Sequence, residues 1–111
     1  MWDKQLEKYD KLVEGCPRFD RKGKTVPYTS ANGYMFSLMN KEAEFGIRLS
    51  KESQDKFNAE HGTGPFKSHG ATMRDYIHVP NKLMEDQDLM RSYLNESFDF
   101  VMSLPPKITK K

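Results

Sequence analysis

The pattern of apolar and polar residues predicts three helical segments in the chain. The first segment lies near the N-terminus and places four apolar residues on one helical face: Trp2, Leu6, Tyr9 and Val13. Gly15 and Pro17 follow, and they predict the end of this helix. The second segment, residues 51–60, is polar with Phe57 as its main apolar anchor, and Ser50 before it is a favourable N-cap.

The third helical segment carries a wide apolar stripe: Leu89, Met90, Tyr93, Leu94, Phe98, Val101 and Met102. Asp86 or Asp88 can cap its start, because a carboxylate there accepts hydrogen bonds from free backbone amides. The pair Pro105-Pro106 predicts its end, since proline cannot continue a helix.

Between the first two helices the pattern changes to the two-residue period of β-strands. Residues 24–30 are rich in Thr, Val and Tyr, and Pro27 among them indicates an edge strand or a bulge. The dipeptide Asn32-Gly33 favours a tight hairpin turn. Residues 34–39 and 45–49 then alternate, so we expect a three-stranded antiparallel meander.

The alternation also predicts which side chains face the helices. In the meander we expect six residues on the helix side: Tyr34, Phe36, Leu38, Phe45, Ile47 and Leu49. Two more strands are predicted at 66–70 and 73–79, the second with Met73, Ile77 and Val79 on one face. The resulting order, α-β-β-β-α-β-β-α, predicts an α+β two-layer sandwich with a mostly antiparallel sheet and helices on one face.

Composition narrows the class of protein. The chain has 111 residues, which suits one domain, here assigned to 1–104 with a flexible basic tail at 105–111. Cys16 is the only cysteine, so no disulfide can form within the chain, and we expect a cytoplasmic location. No apolar run approaches the roughly 20 residues of a membrane span, so no membrane partner is expected. The net charge of +2 is too small to indicate nucleic-acid binding.

Catalytic and metal-binding motifs are not supported by the spacing of the reactive residues. His61, His69 and His78 lie eight and nine positions apart, whereas zinc sites usually use ligand pairs only three to five residues apart. Cys16 has no paired base nearby in sequence, and the glycines of residues 62–64 do not fit a phosphate-binding loop. We therefore expect no enzyme activity, no metal and no cofactor.

The sheet face opposite the helices offers the most informative candidate site. Five residues form the predicted interaction surface: Tyr28, Arg48, Arg74, Tyr76 and His78. Met35 and Met39 are expected on the same face, and this mixture of Met, Tyr and Arg is typical of protein interfaces. It also suits nucleic acid, and a solvated face with no partner remains open. A slip of one residue in register would exchange the two faces.

Four strings, taken in their order and spacing, resemble the TfoX N-terminal domain family in its short stand-alone bacterial form: GKTVPY at 23–28, NGYMF at 32–36, FGIRL at 45–49 and MRDYIHVP at 73–80. The resemblance covers roughly residues 5 to 104. It implies a secretion-chaperone-like α+β fold and brings no established biochemical activity. In the first strand the competence regulators of the family usually carry an aromatic-glycine pair, where this chain has Pro27-Tyr28.

The functional prediction joins the residues with the resemblance. We expect a small non-enzymatic protein-interaction or self-associating module with a regulatory role, whose partner is a second copy of the chain or another protein. The alternative is a nucleic-acid-associated regulator related to competence control. The family's name-giving regulator carries a second helical domain, for which these 111 residues leave no room.

Overall fold

The computed structural model describes residues 2–16, 18–23, 26–63, 65–68 and 71–105, and for residues 65, 68, 71 and 74 it describes the backbone alone. The elements follow one another as α1 (Trp2–Glu14), β1 (Tyr28–Ala31), β2 (Tyr34–Met39), β3 (Phe45–Arg48), α2 (Lys51–His61), β4 (Pro65–Ser68), β5 (Ala71–Val79), a 3-10 helix (Asn81–Glu85) and α3 (Gln87–Ser103). The predicted tail lies outside the described residues except for Pro105.

The five strands form one antiparallel sheet in the order β1-β2-β3-β5-β4. All three α-helices contribute side chains to the core on one side of this sheet. The predicted α+β sandwich and its order of elements are therefore confirmed, and the 3-10 helix is an addition that the pattern did not predict. Among the helices that the structure describes, none is both long and apolar enough to cross a membrane.

The helix ends follow the predicted capping chemistry. Ser50 Oγ accepts a hydrogen bond from the Ser53 amide at 3.3 Å, and Gly62 ends α2 in the left-handed conformation with φ 64°. Asp86, rather than Asp88, caps α3 and accepts from the Leu89 amide at 3.2 Å. These contacts satisfy amide and carbonyl groups that a helix leaves free at its ends.

The first hairpin also forms as predicted. Asn32 and Gly33 have φ angles of 55° and 84°, so both central residues of the turn are left-handed, as a tight two-residue hairpin turn requires. β1 is an edge strand of the sheet, as the proline before it indicated. Pro27 itself lies just outside β1, where its carbonyl accepts a hydrogen bond from the Met39 amide at 3.0 Å.

The main core lies between the sheet and the helices. Its fully buried aromatic side chains are Tyr9, Phe36, Phe45 and Phe57. Tyr9 of α1 packs edge-on against Phe45 with ring centroids 4.6 Å apart. Its hydroxyl is 2.6 Å from Ser37 Oγ, and Ser37 Oγ is 2.5 Å from Thr29 Oγ1. The three hydroxyls thus satisfy one another inside an otherwise apolar core.

A β-bulge overturns the predicted faces at the end of β2. The β1–β2 register skips Phe36 between the pairs made by Thr29 and Ser30. An extra residue reverses the alternation beyond it, so Phe36 and Ser37 both lie on the helix side. Leu38, predicted on the helix side, belongs to a cluster on the opposite side, and Met39, predicted opposite, belongs to the main core.

A second irregularity corrects the prediction for β5. Ile77 and Val79 belong to the main core, as predicted, but Met73 packs against the cluster on the other side of the sheet. The β4–β5 register changes between Pro65 and Phe66, and four positions of β5 separate the partners of these two residues. The strand therefore cannot keep strict alternation along its whole length.

Candidate interaction surface

The sheet face away from the helices holds a second apolar cluster. Its centre is buried and consists of Leu38, Phe66 and Tyr76, with 1%, 0% and 6% of their surfaces exposed. Four partly buried side chains surround this centre: Val26, Tyr28, Met35 and Met73. We call these seven residues the second cluster. The face is thus neither an open polar sheet nor a closed core, because its apolar border remains half-exposed.

Phe66 reaches the centre of the second cluster because β3 has a glycine beneath it. A Cβ atom placed on Gly46 would lie only 2.6 Å from Cδ2 and 2.7 Å from Cε2 of the Phe66 ring. A glycine inside a strand permits this close approach of a neighbouring group. The Asn40 side chain fastens β4 in place, since its Nδ2 donates to the Lys67 carbonyl at 2.8 Å. The Phe66 side chain of β4 therefore covers part of the face that we expected to be open.

Tyr76 supports the surface from beneath. Its ring lies 6.2 Å from that of Phe66, centroid to centroid, and its hydroxyl donates to the Met35 carbonyl at 2.5 Å. Burial raises the pKa of this hydroxyl well above its usual value, with Arg48 opposing the shift. Tyr76 was predicted to make contacts with a partner, but its buried side chain instead fixes the backbone that carries Met35.

Arg48 forms a charged border at the end of β3. Its Nη2 lies 3.2 Å from Asp75 Oδ2, and its guanidinium carbon lies 5.3 Å from the centroid of the Tyr34 ring. Within the described part of the chain, the buried Nε of Arg48 has no hydrogen-bond partner. The Arg48 guanidinium group is thus held by the Asp75 carboxylate and the Tyr34 ring, while its Nε–H donor makes no hydrogen bond to the described residues.

His78 marks the opposite border, on the stretch of β5 that pairs with β3. Its Nε2 lies 4.0 Å from Glu44 Oε2, and its ring meets Phe66 edge-on with centroids 6.0 Å apart. Its side chain is 38% exposed. His78 thus places a ring nitrogen beside a carboxylate at this border.

The predicted surface residues are therefore only partly brought together. Tyr28 belongs to the apolar border of the second cluster and Tyr76 to its buried centre, while Arg48 and His78 lie on opposite sides of the cluster. The side chain of Arg74 lies outside the described part of the structure. Sequence reasoning missed Phe66 and Leu38 as members, although Gly46 in the middle of a strand was a usable signal of a close approach.

A groove lies elsewhere, between α1, the 3-10 helix and the start of α3, with a volume of about 830 Å³. Its charged lining residues are four bases and four acids: Lys8, Lys11, Lys82, Arg91, Glu7, Glu85, Asp86 and Asp88. Lys8 pairs with Glu85, and Arg91 approaches Asp88 at 3.8 Å. This balance of charge favours neither an anionic nor a cationic ligand.

Among the described residues, the reactive side chains are not arranged as a catalytic or metal centre. Cys16 is buried, and burial raises the pKa of its thiol, which lowers the fraction of reactive thiolate. Among the residues that the structure describes, no three His, Cys, Asp or Glu side chains are close enough to hold a metal ion. His69, one of the three histidines weighed from the sequence, lies outside the described residues.

Comparison with known proteins adds no relative to this picture. No model of a known protein family matches the chain, and a search of curated proteins finds no significant match. The resemblance to the TfoX N-terminal domain family therefore stays a prediction that rests on the four strings of the sequence.

Proposed function

We propose that this chain is a non-enzymatic interaction module that self-associates through the second cluster. The observation that carries the proposal is the half-exposed apolar border formed by Val26, Tyr28, Met35 and Met73 around a buried centre. Side chains of this kind lose unfavourable contact with water when a partner covers them, and Met and Tyr are enriched in protein interfaces.

The charges at the border favour a second copy of the chain as the partner. Arg48 and Asp75 present opposite charges on one side, and the His78 imidazole lies beside the Glu44 carboxylate on the other. A two-fold dimer brings the same patch of both copies together, so each patch must be complementary to itself. A border in which each basic residue lies beside an acidic residue meets this condition, because a basic group of one copy can face an acidic group of the second copy.

A role as a nucleic-acid-associated regulator is the alternative that the sequence left open. The paired border argues against it, because Arg48 already has the Asp75 carboxylate as its partner. Phosphate backbones are bound by surplus positive charge, and such binding weakens steeply with salt. A regulatory role through association with itself or with another protein stays compatible with the TfoX resemblance and is part of the proposal.

The experiment places a charge in the apolar border and measures the mass of the protein in solution. Met35→Glu puts a carboxylate into the proposed contact, and Met102→Glu is the matched control on α3. Met102 is 50% exposed and is not a member of the second cluster. Circular dichroism and a thermal melt verify that both variants are folded before their masses are compared by light scattering.

We expect the unmodified chain and Met102→Glu to be dimers and Met35→Glu to be a monomer. The dimer affinity of Met35→Glu should be lower by about 30-fold or more, which is the effect of removing a strongly contributing interface residue. Val26→Glu is a second variant, which should act in the same way if Met35→Glu fails to fold. Dimers that persist equally in all folded variants would show that the second cluster is not the contact.

A further inference from the structure

The turn of the first hairpin carries a second feature, which is independent of the second cluster. The half-buried side chain of Asn32 reaches across to the end of α3, where its Nδ2 donates to the carbonyls of Val101 and Leu104, both at 2.9 Å. The hydroxyl of Tyr34 donates to the Pro105 carbonyl at 2.7 Å beside it. These three bonds hold the C-terminal end of α3 against the hairpin.

An amide is the group that suits this position. The last carbonyls of a helix lack the amide partners of the helix interior and carry partial negative charge, so they accept further donors. The Val101 carbonyl also accepts from the Leu104 amide at 3.2 Å, and a carbonyl oxygen has two lone pairs, so it can accept a second bond. The Asn32 amide supplies two N–H donors, which match the two carbonyl oxygens. A carboxylate at the same place would have no donor and would bring a negative charge to the negative end of the helix.

The residue that follows makes this amide chemically labile. In an Asn-Gly sequence the backbone nitrogen of the glycine can attack the side-chain carbonyl carbon, because glycine has no side chain to hinder the approach. A C–N bond to Gly33 forms, the C–N bond to the amide nitrogen breaks, and ammonia leaves with the proton lost by the backbone nitrogen. Water then opens the cyclic imide and gives aspartate or isoaspartate. No oxidant or reductant is involved.

We propose that Asn32 is a spontaneous deamidation site, protected by its hydrogen bonds to α3 in the folded chain, whose conversion releases the end of α3. Attack requires the Asn32 side chain to leave both carbonyls and turn back toward Gly33. The two hydrogen bonds and the left-handed backbone of the turn oppose this movement. Conversion is therefore limited by local opening of the hairpin from α3.

The test follows the asparagines of the chain by peptide mass spectrometry during incubation at mildly alkaline pH, in buffer and in a urea concentration that unfolds the chain. Asn40, Asn58, Asn81 and Asn95 are internal controls, because none of them precedes a glycine. We expect Asn32 to convert in urea. In the folded chain we expect its rate of conversion to be lower by about tenfold or more. Equal rates in both conditions, or no conversion in urea, would overturn the proposal.

The consequence is tested with the product itself. In Asn32→Asp we expect the backbone amides of the last turn of α3 to exchange with solvent about tenfold faster than in the unmodified chain. The matched control is Asn81→Asp, since the Asn81 side-chain oxygen accepts from Gln5 and a carboxylate can still accept. Asn32→Gly keeps the left-handed turn and cannot deamidate. Unchanged exchange in folded Asn32→Asp would contradict release of the end of α3, and unchanged exchange in Asn32→Gly, which also lacks the amide, would contradict the role of the amide.

Discussion

Gly46→Ala tests the close approach that creates the second cluster. The new Cβ atom would lie 2.6, 2.7 and 2.8 Å from three atoms of the Phe66 ring, whereas carbon atoms pack at about 3.5 to 4.0 Å. The ring must therefore move by about 1 Å. Phe66 is fully buried between Tyr76 and His78, so it cannot move without disturbing its neighbours.

The magnitude is a balance of two effects. Overpacking of a buried site costs about 1 to 3 kcal/mol. Gly46 does not have the positive φ that alanine disfavours, so replacing glycine also limits the unfolded chain and returns about 0.4 to 1 kcal/mol. We therefore expect Gly46→Ala to lower the free energy of unfolding by about 1 to 2 kcal/mol.

The assay is urea unfolding of a double-mutant cycle with Phe66→Ala. Alanine lacks all three ring atoms that the new methyl group meets at 2.6, 2.7 and 2.8 Å. Gly46→Ala should then cost less than half as much in the Phe66→Ala background, with a coupling energy of about 1 kcal/mol. Equal effects of Gly46→Ala in both backgrounds would refute the packing of Phe66 over Gly46.

Two further predictions concern buried polar groups. Burial raises the pKa of the Tyr9 and Tyr76 hydroxyls, so their neutral forms stabilise the fold fully below the unfolded-state pKa of about 10, and this stability is lost as pH rises above it. Urea unfolding should show a loss of about 1.4 kcal/mol per pH unit for each tyrosine, and a slope unchanged in Tyr9→Phe would contradict this. Asn40→Ala removes the Nδ2 group that donates to Glu44 and Lys67 and the Oδ1 atom that accepts from the Glu42 and Glu44 amides, so it should cost about 3 kcal/mol in the same assay. A loss below about 1 kcal/mol would mean that water replaces these bonds.

The parts of the fold that the sequence predicted well depend on local chemistry. Ser50 and Asp86 cap helices through contacts with residues three positions away, and Asn32-Gly33 turns through its own backbone preference. The apolar face of α1 is also a local pattern, and its Tyr9 and Val13 are buried as the spacing indicates. Each of these features can be recognised within a few residues of sequence.

The predicted faces failed where contacts between distant residues override alternation. The bulge at Phe36 lets Ser37 reach the Tyr9 hydroxyl of α1, 28 positions away, so its position depends on a helix that alternation does not consider. Leu38 and Met39 exchange faces as a result. One extra residue moves the side chains beyond it to the opposite face of the sheet. The position of the strand was therefore predicted correctly, whereas the faces of its last residues were not.

The candidate surface was predictable in kind and incorrect in detail. A face with Met, Tyr and Arg was expected, and Tyr28, Met35 and Arg48 do border it. Its covered centre was missed, because the Phe66 ring extends from β4, past β5, to Gly46 of β3, and alternation within one strand does not show such a contact. Gly46 inside a strand was the sequence signal of that close approach.

Self-association is tested most directly by the mass of the unmodified chain in solution. Light scattering after size exclusion, at a low and a high salt concentration, separates an apolar contact from a purely ionic one, because salt screens exposed charges far more than it weakens apolar burial. We predict twice the mass of a single chain at both salt concentrations. A monomer at both, at protein concentrations well above micromolar, would contradict self-association through the second cluster.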